Sequence, residues 1–303
     1  MKIIQKENNI ILEDVKDFHI GQTLECGQCF HFKKLSENEY AISAKNRLLH
    51  IKQEDMRIYF YDTCMDDLEN IWMEYFDLER DYGVIKEHLL KADKSLKEAI
   101  DTMWGIRILK QDFFETLISF IISQNKQIPH IKQIVNDISR EYGEFLGEIN
   151  GEKFYSFPSV NILKTVSEEK LRELKVGFRA PYIYDAVSKV YEGTIDENEL
   201  YLLDGDEVMN RLMQIKGVGE KVASCVMLFG LGKREEFPVD VWIKRIMEEL
   251  YFHKDTPKEV IRRRAMEMYG EYGGYAQQYL FYYGKVNEIG KNKNVKTREK
   301  VRK

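Results

Sequence analysis

The tightest constraint on the fold lies in residues 207–230, EVMNRLMQIKGVGEKVASCVMLFG. VMNRLMQI has helical periodicity, KGVG interrupts it, and an apolar helix restarts near Glu220 and runs to Gly230. The pattern is a helix–hairpin–helix. Gly217 and Gly219 can take backbone angles that other residues resist, and neither carries a side chain that would keep a ligand off the turn. A phosphate can approach there, where the following helix offers unpaired N–H groups and a partial positive charge. That arrangement would grip a DNA backbone without reading sequence. An ordinary helical hairpin with no ligand fits the same pattern.

Lys221 falls in the first turn of the second helix. A surface lysine is commoner near a helix C-terminus, where its charge suits the dipole. In the first turn the dipole disfavours the ammonium, and partial burial would act in the same direction, toward a neutral and nucleophilic amine. A solvated lysine is the competing reading. Downstream, EEFPVDVWIKRIMEEL begins at Glu235. Asp240 precedes a helix whose expected apolar positions are Val241, Ile243, Ile246, Met247 and Leu250, so it is expected to be the N-cap. A carboxylate at a cleft could also stabilise cationic character on a sugar.

The rest of the chain frames this segment. Its 303 residues suggest about two domains. The formal charge of -5 neither supports nor excludes DNA, because a nucleic-acid footprint need only be locally basic. No run of about 18 apolar residues suggests a membrane span, and MKIIQKENN lacks the apolar core of a secretory leader. A cytoplasmic or nucleoid-associated protein in a reducing compartment is expected. Cys26 and Cys29 stand at metal-like spacing, but no second pair or histidine set accompanies them, so neither metal nor cofactor is expected.

CFHFKKL, YAIS, LLHIK and RIYFY, separated by SENE, AKN and QEDM, read as an antiparallel sheet covered by helix on one side. From DDLENIWMEYF onward the period moves toward about 3.6. FFETLISFIISQ reads as a buried helix, KQIVNDISREYG as an amphipathic one, NILKTVSEEKLRELKVG as two short helices ending at Gly177, and AQQYLFYYGKV as a final packed helix. The fold class is α+β. Residues 1–104 form a mixed antiparallel β domain, 105–289 a helical body, and 290–303 a tail. The segment after Gly290 carries seven positive charges and one negative, and reads as a disordered basic arm.

Taken together, these segments resemble the helix–hairpin–helix, Gly/Pro–Asp superfamily of DNA glycosylases, and within it the 8-oxoguanine DNA glycosylases. That family has a PGVG-like hairpin, a lysine two residues after the last glycine, and VPVD with its aspartate nineteen residues beyond the lysine. Here KGVGEK is followed by FPVD, and 240 minus 221 is 19. GQCFHF (27–32) resembles the family's GQ-S-F-R-W segment, and GIRILKQDFFETLISFIISQNKQI (105–128) its long helix and asparagine-bearing stretch. VGFRAPYI (176–183) resembles GLGYRARY, and GGYAQQYLF (273–281) the terminal pocket helix. The resemblance runs in family order over about residues 20 to 285.

It implies a monomeric enzyme on duplex DNA containing 8-oxoguanine, with the target base flipped out of the duplex. Lys221 would attack C1′ and form a Schiff base, which then permits β-elimination. Asp240 would stabilise the oxocarbenium-like sugar. Gly27 resembles the glycine whose carbonyl accepts the lesion's N7–H, Gln277 the reader of the Watson–Crick edge, and Cys225 with Phe281 the pair that sandwich the ring. Asn125 matches the asparagine that fills the vacated space, and Phe178 replaces an intercalating tyrosine. Arg179 and His130 occupy positions where the family carries two arginines that read the opposite cytosine. The weaker donor set of His130 implies a relaxed preference there. Trp242 and Gly284 stand where the family has a histidine and its aspartate partner, which implies different local packing, with the indole against DNA as one arrangement.

Three alternatives remain at this level. One is a related glycosylase for another damaged base; the cysteine count disfavours its iron–sulfur members, and Lys221 the purely monofunctional ones. Another is a non-catalytic helix–hairpin–helix DNA-binding protein. The last is a structural helical protein with no DNA role.

Overall fold

A computed structural model describes residues 1–289; the basic tail lies outside the described residues. The N-terminal part is a six-stranded antiparallel sheet of β1 (Lys2–Lys6), β2 (Asn9–Glu13), β3 (Phe32–Ser36), β4 (Glu39–Ala44), β5 (Arg47–Glu54) and β6 (Arg57–Tyr61). The spatial order is β1-β2-β6-β5-β4-β3. The local chemistry sets its register. Ala44 pairs with Arg47 across Lys45 and Asn46, both at positive φ (52° and 55°), as a tight two-residue hairpin requires. β5 alternates buried Leu49, Ile51 and Gln53 with more open neighbours. The helical stretch 65–75, with a π turn at Leu68–Trp72, lays Leu68, Trp72 and Tyr75 in the core that the sheet shares.

β1 and β2 carry too little pattern to be seen in the sequence. β1 is an edge strand with no fully buried residue, so it has no alternation to detect. A second small hairpin, β7 (Phe145–Ile149) with β8 (Glu152–Tyr155), is equally silent in the sequence. Its β7 lies against β5.

The helical body is built on the buried helix Phe113–Ser123, against which the second hairpin helix, Glu220–Phe229, packs. Ile128–Tyr142 ends at Gly143 as its pattern implies, and Gly273–Val286 forms the last described helix. Tyr82–Ala92 and Lys97–Thr102 precede residue 104, yet Tyr82, Leu89, Leu96 and Ile100 sit in the core of the helical body. The helix after Asp240 departs from its expected face. Ile243, Ile246 and Met247 are buried, but Val241 starts the helix in the open, and a π turn over Glu248–Phe252 leaves Leu250 exposed.

One extended segment joins the two cores. Ile108 belongs to the helical core and the adjacent Leu109 to that of the sheet. The fully buried Gln28 clamps it: its Nε2 donates to Thr23 O and Arg107 O (both 2.8 Å), and its Oε1 accepts from Leu109 N (2.9 Å). Arg107, also buried, donates to the carbonyls of Lys16, Asp17, Asp77 and Arg80. Gln28→Leu leaves Arg107 O and Leu109 N without partners, while Thr23 O keeps the Cys26 thiol. Each costs about 1–3 kcal/mol, so chemical denaturation should show a loss of roughly 2–6 kcal/mol. A loss below about 1 kcal/mol would mean that water replaces the amide.

Candidate active site

The two parts of the chain enclose a cleft of about 1280 Å³. Of the residues singled out from the sequence, Gly27, Asn125, Gly219, Lys221, Asp240, Trp242 and Phe281 line it. They come from the sheet domain, the end of the buried helix, the hairpin, the start of the helix after Asp240 and the last helix.

The hairpin separates two kinds of glycine. Gly217 has φ +77°, and a Cβ there would lie 2.3 Å from the Tyr182 ring, so both backbone and packing require glycine. Gly219 differs from the sequence expectation: its φ of -108° suits any residue, and a Cβ there would meet nothing within 4 Å. Its bare face is open, and it caps the helix that carries Lys221.

Lys221 is half-buried rather than solvated at its tip. Its Nζ donates to Ser123 Oγ (3.3 Å) and lies 5.0 Å from the Phe120 ring centroid. The Ser123 hydroxyl donates in turn to Phe120 O (2.7 Å), so it can only accept from the amine. Phe120 stacks on Phe229 and meets Phe30 edge-on, giving the amine an aromatic floor. Cys225, one turn along the same helix, also contacts the lysine amine; burial pushes its thiol up to about 11 despite the nearby lysine. Asp240 is the N-cap expected: its Oδ1 accepts from Ile243 N at 2.7 Å.

Gly27 forms the facing wall. Its φ is +92°, and a Cβ would lie 3.5 Å from Phe281 Cε1. Gln277 and Cys225 are buried behind the cleft lining. Gln277 is therefore not a surface residue, and its Oε1 accepts from Gln278 Nε2 (2.7 Å). Trp242 carries the Arg245 guanidinium 5.3 Å from its ring centroid. Gly284 has a packing reason of its own: a Cβ would lie 2.2 Å from Ile246 Cδ1, so glycine lets the last helix meet Val241–Met247 closely.

Four further expected residues stand off the cleft lining. Phe178 is exposed, and His130 is exposed on the helix after Pro129. Arg179 is turned inward, donating to the carbonyls of Val176 and Gln124, with Phe178 over its guanidinium (4.2 Å). Burial holds its pKa below the usual value. This inward arginine props the turn at Asn125, which has φ +51°. Gly217 is the fourth, held under Tyr182.

Ser123 and Phe120 give no sign of a site role in the sequence, because both sit in a helix that reads simply as core. Cys26 and Cys29 donate to the carbonyls of Thr23 and Leu24. Among the described residues no group of three or more His, Cys, Asp or Glu could hold a metal ion, and no helix is long and apolar enough to cross a membrane.

Residues 10–117 match the family model for the 8-oxoguanine DNA glycosylase N-terminal domain, and residues 118–271 that for HhH-GPD superfamily base excision DNA repair proteins. A solved structure of Clostridium acetobutylicum 8-oxoguanine glycosylase/lyase, bound to double-stranded DNA with cytosine opposite 8-oxoguanine, is 39% identical with a TM-score of 0.92, over 95% of this chain and 99% of that one. The probable N-glycosylase/DNA lyase of Methanothermobacter thermautotrophicus is 34% identical over 72% of this chain and 74% of its own length. The N-glycosylase/DNA lyase of Saccharomyces cerevisiae is 32% identical over 86% and 82%.

Two measurements check this geometry. Gly217→Ala should cost about 2–4 kcal/mol from strain and overpacking, whereas Gly219→Ala should cost under about 1 kcal/mol; equal losses would refute the distinction. In the native protein at pH 8, alkylation should label exposed Cys64 first. Buried Cys26 (about 11), Cys29 (pushed well up by burial) and Cys225 should react only on unfolding.

Proposed function

Because the chain belongs to the 8-oxoguanine DNA glycosylase family of the HhH-GPD superfamily, and is thereby a DNA N-glycosylase/lyase, we propose that it excises 8-oxoguanine from duplex DNA through a Schiff base on Lys221. The observation that carries this reading is the convergence of Lys221 and Asp240, from two different helix starts, on one cleft with Gly27 and Phe281 opposite them.

The deprotonated Lys221 amine attacks C1′, the N-glycosidic bond breaks, and its electron pair leaves with the base, which is protonated. Asp240 stabilises the positive charge that develops on the sugar. The sugar opens to an imine, loss of a C2′ proton follows, and the 3′ phosphate departs by β-elimination. Only an amine supports this sequence, and the Ser123 hydroxyl holds that amine toward the cleft. Gly27 supplies a backbone carbonyl for a hydrogen that 8-oxoguanine carries at N7 and guanine lacks. Entry of the ring requires Gln277 to release Gln278 and Cys225 to become part of the wall.

On the opposite strand, His130 offers fewer donors than arginine, and Arg179 is committed to two carbonyls. Both support a relaxed preference for the base opposite the lesion, with Asn125 and Phe178 at the duplex. The protein acts as a monomer on one DNA.

The test uses end-labelled duplexes with one 8-oxoguanine opposite each of the four bases, with borohydride to trap an imine. The wild type should form an adduct and cut the strand; Lys221→Gln should form none. Excision rates opposite the four bases should agree within about tenfold, and strong cytosine selectivity would refute the His130 argument. Asparagine caps a helix about as well as aspartate. Asp240→Asn should therefore keep the stability of the fold while slowing base release by about 10²–10³-fold. A slow variant that is also unstable would reduce Asp240 to its capping role.

A further inference from the structure

Behind the cleft lies a charged group that the reaction does not use. Glu236 is 1% exposed. Its Oε2 accepts from Ser224 Oγ (2.7 Å) and from Arg262 Nε (3.4 Å), and its Oε1 from Arg262 Nη2 (2.7 Å). Ser224 is three residues after Lys221 on the nucleophile's helix, and Glu236 is four residues before Asp240. Arg262 belongs to a third element, the helix Lys258–Tyr269. Arg262 and Ser224 both line the cleft.

A carboxylate taken out of water needs charge and hydrogen-bond partners, and each missing partner is costly. Glu236 meets that need by tying three elements to one point. The tie falls between the two residues whose spacing the chemistry depends on. Lys221 is carried by a helix that Ser224 fastens, and Asp240 by the loop in which Glu236 lies. Nearby contacts fix the residues just before Glu236: Gly274 N donates to Arg234 O (2.8 Å), and a Cβ on Gly273 would lie 2.4 Å from Glu235 O.

We propose that Glu236 is a positioning residue for the reaction, holding Lys221 and Asp240 at their working separation through Ser224 and Arg262. This rests on the function proposed above. A misplacement of about 1 Å costs on the order of 10²-fold in rate, so the network should be visible in the chemical step rather than in DNA affinity.

The experiment compares Glu236→Gln and Ser224→Ala with the full-length wild type. Glutamine keeps the shape and one acceptor oxygen at 236, but its NH2 cannot accept from Arg262, so the ion pair and the two-oxygen grip on the guanidinium are lost. Alanine at 224 cuts only the tie to the nucleophile's helix. Single-turnover base release from 8-oxoguanine duplex, strand cleavage at a preformed abasic site, affinity for a duplex with a tetrahydrofuran abasic analogue, and thermal midpoint are all measured. The expected result is affinity within about threefold of wild type with base release and abasic cleavage both slowed, by about 10- to 100-fold in Glu236→Gln and less in Ser224→Ala. Wild-type rates in a folded Glu236→Gln would overturn the proposal. So would losses of rate that track equal losses of affinity or midpoint, since these mark a purely structural brace. If Glu236→Gln does not fold, Ser224→Ala decides alone, and an unchanged rate there overturns the proposal. A wild type that cleaves abasic sites but releases no 8-oxoguanine would refute the lesion assignment and leave the positioning test readable on the abasic substrate. A wild type inert on both refutes the two together.

Discussion

The buried amide of Gln28 carries more of this structure than its size suggests. Its side chain bonds the backbone at Thr23, Arg107 and Leu109, and Gln111 Nε2 donates to its carbonyl (2.8 Å). Gly27, the preceding residue, is the wall of the cleft that the sheet domain supplies. Lys221 and Asp240 come from the helical body. The distance across the cleft is therefore a distance between two hydrophobic cores, and apolar packing alone fixes such distances loosely because it is non-directional. Directional bonds from one amide supply what packing does not. Arg107 repeats the device on the other side of the strand, with its guanidinium spent on four carbonyls.

The hairpin was legible because glycine breaks a strong period. So were Lys221 and Asp240, which stand nineteen residues apart as in the resembled family, and the strands at LLHIK and RIYFY, whose partial alternation shows. What stayed hidden lacked a local signature. β1 has no buried face, and the π turn after Met247 moved Leu250 out of the core without altering the apolar pattern that placed it there. Gly219 and Gly217 look alike in sequence, yet only Tyr182, thirty-five residues upstream of Gly217, tells them apart. Ser123 is invisible as a site residue for the same reason: its partner Lys221 is 98 residues away.

The positions that depart from the resembled family become intelligible through packing. Gly284 admits Ile246, and Trp242, on the same helix as Ile246, lines the cleft with Arg245 against its ring. A charged pair at these two positions would need space that Ile246 occupies.

In the proposed reaction, Asp240 would serve fold and chemistry at once. Its Oδ1 is spent on Ile243 N, which fixes the carboxylate plane relative to the helix start. Among the described residues, Oδ2 has no hydrogen-bond partner, and the residue lines the cleft. Fixing one oxygen removes most of the rotational freedom of the other, so in the proposed reaction the remaining charge would already be oriented toward the sugar. Lys221 follows the same logic with different parts. Its helix is anchored by buried Val222, Ala223 and Ser224, and only the end of a long side chain is left to Ser123. Both functional groups are thus held at helix starts, Asp240 as an N-cap and Lys221 in a first turn, and both line the same cleft.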